Sequence, residues 1–68
     1  MIQELANKVL EIALIIDEEA KRDEFDCVCI HKFGGIKAYF NRSMGTSYDV
    51  DIPIEFIFMD LRKLRKLT

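Results

Sequence analysis

Apolar residues recur at helical spacing from the start of the chain. Ile2, Leu5, Ala6, Val9, Ile12, Ala13, Ile16 and Ala20 cover one broad face of a helix. Gln3, Glu4, Asn7, Lys8, Glu11 and Glu18 fill the other, and Asp17–Lys21 and Glu18–Arg22 are acid-first i,i+4 pairs. The pattern predicts one helix over residues 2–23, about 33 Å long at 1.5 Å per residue. From Phe25 to Phe33 the composition turns to β-forming residues. Gly34-Gly35 follows, and the same character resumes over 36–43. Two such runs joined by two glycines predict a hairpin of strands 25–33 and 36–43, because both glycines tolerate the positive φ of a primed turn.

That turn implies a register with Phe33 opposite Ile36, His31 opposite Ala38 and Cys29 opposite Phe40. Phe25, Cys27, Cys29, His31, Phe33, Ile36, Ala38 and Phe40 would then face the core. Asp26, Val28, Ile30, Lys32, Lys37, Tyr39, Asn41 and Ser43 would face away. Met44-Gly45-Thr46 reads as a turn with glycine in a left-handed position, followed by a third strand over 46–52 with Tyr48, Val50 and Ile52 on one side.

Two patterns compete beyond Ile52. Ile54, Phe56 and Phe58 continue the strand alternation, whereas Ile54, Ile57, Phe58, Leu61 and Leu64 form a helical stripe. Pro53 removes a ladder donor and suits a first helical turn, and Lys63, Arg65 and Lys66 complement a helix C-terminus. A helix over 53–67 is therefore expected. The sum is a single α+β domain spanning 1–68. Its order is α-β-β-β-α, with a small antiparallel sheet covered on one face by two helices. Double-stranded-RNA-binding domains share this order, but order alone matches. The basic start of their last helix is replaced here by Ile54-Glu55-Phe56.

Length sharpens the picture. A 68-residue chain of 8.0 kDa buries about 60% of its unfolded surface, which leaves no room for a deep catalytic cleft. No enzyme activity and no cofactor are expected. The longest apolar run is Ile12 to Ile16, too short to span a bilayer. With no signal-peptide pattern at the start, the expectation is a cytoplasmic protein with reduced thiols.

Three features could carry chemistry. Cys27, Cys29 and His31 fall on one strand face, as a soft metal would want, but zinc needs four ligands and the chain has no other Cys or His. The expectation is a packing role and no metal site in a single chain. Charge is divided: residues 1–26 carry eight acids and three bases, residues 27–68 four acids and seven bases. The acids Asp17, Glu18, Glu19, Asp23 and Glu24 gather where the dipole of a continuous first helix disfavours them, which suggests a surface for a basic protein partner.

Apolar surplus is the third feature. Two helices cover one sheet face, so Val28, Ile30 and Tyr39 are expected to form an open apolar patch. Leu10 and Leu14, with Phe56 and Met59, are expected to project away from the core. These residues predict a non-catalytic interaction module that binds itself and another protein. A small regulator or inhibitor of the kind mobile elements encode would fit. The alternative is a nucleic-acid binder using Lys32, Lys37, Arg42 and Tyr39, aided by the basic C-terminal helix.

Overall fold

A computed structural model describes residues 2–33 and 35–67, the side chain of Ile2 excepted. Helix α1 spans Ile2–Ile16, and a 3-10 helix spans Glu18–Arg22. Strands β1 (Glu24–His31), β2 (Gly35–Asn41) and β3 (Ser47–Ile52) follow. Two short helices, α2 (Ile54–Ile57) and α3 (Leu61–Leu67), close the described chain. The sheet is antiparallel with strand order β1-β2-β3. Helix α1 touches all three strands and also α2 and α3, so the fold is α+β.

Each expected long helix is broken at an aspartate. Asp17 has extended backbone angles (φ −129°, ψ 95°), and its carboxylate accepts from Glu19 N–H at 3.1 Å. This cap starts the 3-10 helix and stops α1. The break also explains the acidic run. Glu18 and Glu19 now lie in a first turn and Lys21 and Arg22 in a last turn, the order the backbone dipoles favour. Asp60 repeats the device, accepting from Arg62 N–H at 2.8 Å at the start of α3. The expected 53–67 helix is thus two helices, the first opened by Pro53 and closed at Phe58.

The core is a layer of Val9, Ile12 and Ala13 from α1 against Ile36, Ala38 and Phe40 from β2 and Val50 and Ile52 from β3. Ala20 and Leu64 complete it. Leu10, Leu14, Phe56 and Met59, expected to project outward, are instead partly buried and packed against this layer. Leu10 and Leu14 are therefore supports of the core, because α2 and α3 sit beside α1 and use a wider sector of its surface than one sheet contact would.

Register is the main correction. β1 pairs Phe25 with Phe40, then Cys27 with Tyr39, which leaves Asp26 as the extra residue of a β-bulge. Past the bulge the alternation is inverted. Val28 pairs with Ala38 and Ile30 with Ile36, on the helix-covered face, while Cys27, Cys29 and His31 pair with Tyr39, Lys37 and Gly35 on the open face. The bulge lets Phe25, Val28 and Ile30 all turn toward apolar neighbours, where strict alternation would have sent cysteines and a histidine. The hairpin differs too. His31 pairs with Gly35, so the strands are linked by residues 32–34 rather than by two glycines. Gly35 has φ +85°, and Gly34 lies outside the described residues.

Candidate functional site: two faces and an apolar end

The open face of the sheet is polar. Lys37 lies between Asp51 and Asp49, with Nζ 3.0 Å from Asp49 and 3.5 Å from Asp51. The Lys37 hydrogen bond holds the Asp49 carboxyl below the usual carboxylate range. The same bond to Asp49, with the charges of both aspartates, raises the Lys37 pKa. Tyr39 stands between β1 and β3, its hydroxyl 3.4 Å from His31 Nε2. Beside it, Cys27 Sγ and Cys29 Sγ are 3.9 Å apart. Desolvation first, then the hydrogen bond and charge of Cys29 and the charge of Asp26, pushes the Cys27 thiol up. Both thiols are free, and Cys27 holds its proton more tightly than an activated nucleophile would.

The expected Val28–Ile30–Tyr39 patch therefore does not exist as one surface. Tyr39 is on the open face; Val28 and Ile30 are on the other, with Val28 packed against the core. The nucleic-acid set is dispersed as well. Lys37 and Tyr39 share the open face, but two aspartates flank Lys37. Lys32 lies in the hairpin with its ammonium 5.5 Å from the Phe33 ring centroid. Arg42 lies over the Tyr48 ring at 4.2 Å, near the opposite end of the sheet. Of the five acids, Asp17 serves as a cap and Asp23 accepts a 2.5 Å hydrogen bond from the Tyr48 hydroxyl. Glu18, Glu19 and Glu24 remain exposed.

The apolar surplus is real but sits elsewhere. Ile30, Ile36 and Ile52 form one row across the helix-covered face, near the end where β1 and β3 finish. Ile36 and Ile52 are buried, whereas Ile30 is 68% exposed. Phe33, in the hairpin just beyond, is 93% exposed. Ile54 and Phe58, on the short helix that follows β3, are 60% and 83% exposed. Sequence reasoning named Ile30 for the wrong face, took Phe33 as core and placed Phe58 in the apolar stripe of the last helix. The available signal was the change of apolar phase from Phe25 to Val28 and Ile30, with charged Asp26 at the joint.

Among the described residues no three or more His, Cys, Asp or Glu side chains converge to hold a metal, and no helix is long and apolar enough to cross a membrane. The grooves are shallow. One runs beside α1 and α3 and is lined by Glu11, Leu14, Ile15, Glu18, Lys21 and Arg65, with Arg65 3.5 Å from Glu11. No protein family, curated protein or solved structure matches the chain.

Proposed function

We propose that this chain is a non-catalytic protein–protein interaction module that associates with itself, acting as a small cytoplasmic regulator or inhibitor. The observation that carries this reading is that Ile30, Phe33, Ile54 and Phe58, all well exposed, lie on or just past the strands at one end of the sheet, two on the β1 side and two after β3. Large exposed side chains gathered in one region mark a contact surface, whereas scattered ones need no explanation. Total exposure supports it. The chain exposes 5261 Å², against about 4,450 Å² for a compact monomer of its mass.

Ile30 and Phe33 belong to the β1 side of this end, and Ile54 and Phe58 follow β3, so self-association and a second protein can use different parts of it. The exposed Glu18, Glu19 and Glu24 offer that second protein a negative flank.

The test is native mass at micromolar concentration for wild type and for the double variant Ile30→Asp/Phe33→Asp. Wild type is expected at twice the chain mass and the variant at the chain mass, with unchanged helicity. A monomeric wild type, or a variant that still dimerises, refutes self-association through this end.

A further inference from the structure

The two thiols and the imidazole on β1 are left unused by this reading, and their geometry is specific. Cys27 and Cys29 project from the same face of an edge strand with Sγ atoms 3.9 Å apart. A disulfide needs about 2.05 Å, and in-strand i,i+2 Cα spacing is already near the upper limit for a bridge. Two sulfurs at that separation, each about 2.3 Å from a metal, subtend an angle of roughly 116° at it, between tetrahedral and trigonal. The pair is spaced as a chelate and not as a bridge. His31 continues the same column two residues on, its ring steered by the Tyr39 hydroxyl at 3.4 Å. Zinc takes four donors, and among the described residues one chain brings no three together. A second copy can supply the rest.

β1 stands at the edge of the sheet with β2 on one side only. An unpaired edge is a template for another strand. The bulge at Asp26 lies before Cys27, so residues 27–31 form a regular stretch. Antiparallel pairing of two β1 edges about a two-fold axis at Cys29 keeps within that stretch. It sets Cys29 opposite the partner's Cys29 and Cys27 opposite the partner's His31. On the other face it sets Ile30, 68% exposed in the single chain, opposite the partner's Val28. Directly opposed residues have Cβ atoms about 4.5–5.5 Å apart, within reach of one metal ion.

We propose that Cys27 and Cys29 of one copy chelate a thiophilic divalent ion of the zinc class across paired β1 edges, with the partner's His31 and the partner's Cys29 as its third and fourth donors. This inference rests on the self-association reading and gives it a geometry. As each metal–sulfur bond forms, the thiol releases its proton to solvent. No electrons are transferred.

The experiment titrates the reduced, metal-free full chain with cobalt(II) and with zinc, following thiolate-to-cobalt absorption and native mass together. The expected result is strong charge-transfer absorption, no more than one metal per chain, and a dimer that zinc tightens at least tenfold. Cys27→Ser, at an exposed position, and Cys27→Ser/Cys29→Ser should keep wild-type circular dichroism while losing the absorption and the zinc effect. Absence of thiolate–cobalt absorption in wild type overturns the site. A metal-bound monomer overturns completion by a second copy. A dimer indifferent to zinc and to the serine variants removes the metal site while leaving self-association intact, and a monomer that binds no metal removes both.

Discussion

The two ends of the sheet use aromatic and aliphatic residues in opposite ways. At the end where β1 begins, Phe25, Phe40 and Tyr48 form a row. Phe25 meets Phe40 edge-on with centroids 5.8 Å apart, and Phe40 stacks on Tyr48 at 5.7 Å. Polar clips close this row: Asp23 accepts from the Tyr48 hydroxyl, and Arg42 covers the outer ring face. At the other end Ile30, Phe33, Ile54 and Phe58 stay largely exposed, Phe33 even with the Lys32 ammonium 5.5 Å from its ring centroid. The lesson is that the ring and aliphatic side chains of the sheet are treated differently at its two ends, although Met44, in the β2–β3 turn at the first end, is itself 90% exposed. One end satisfies its aromatic residues internally, and the other presents its apolar side chains outward, where a partner is the natural means of removing them from water.

Breaking the closed end gives the largest effect. Phe40 is 1% exposed and touches both other rings. Phe40→Ala is expected to cost about 3–5 kcal/mol. That equals roughly the whole stability a core of this size supplies, so far-UV circular dichroism should report an unfolded chain at 25 °C.

A milder change at the same end sharpens the comparison. Tyr48→Phe keeps the ring stack and removes the donor to Asp23. The expected loss is about 1 kcal/mol, or roughly 4–8 °C in Tm for a chain of this length. pH gives an independent check. Burial of the Tyr48 ring, with the Asp23 hydrogen bond and the charges of Asp23 and Asp17, pushes its pKa from 10.0 up to about 12, against the opposing charge of Arg42. The folded state therefore keeps this proton after the unfolded chain has lost it. The stabilisation is complete below about pH 10 and disappears as pH rises through about 12. Thermal melts across that window should show a loss specific to wild type, which Tyr48→Phe lacks.

How much of this could be read from the residues follows from the same contrast. β2 and β3 keep strict alternation, and Ile36, Ala38, Phe40, Val50 and Ile52 all face α1 as their spacing requires. β1 does not, because one extra residue at Asp26 inverts everything after it, and period-two reasoning has no term for a bulge. That single residue moved Val28 and Ile30 to the covered face and Cys27, Cys29 and His31 to the open one. The helix breaks were written in Asp17 and Asp60. Each sits inside an apolar stripe long enough to read as continuous, so periodicity outweighed a capping signal worth about 1 kcal/mol. The apolar surplus was legible as a quantity. Its location was not, since location depends on the register.

Amide hydrogen exchange compared between dilute and concentrated protein tests the contrast between the two ends most directly. Added protection on concentration is expected at residues 27–33, where a second copy would cover Ile30 and Phe33, with none at residues 40–48, where the rings are already closed. Protection independent of concentration throughout the chain, or a gain at 40–48 without one at 27–33, would contradict the account.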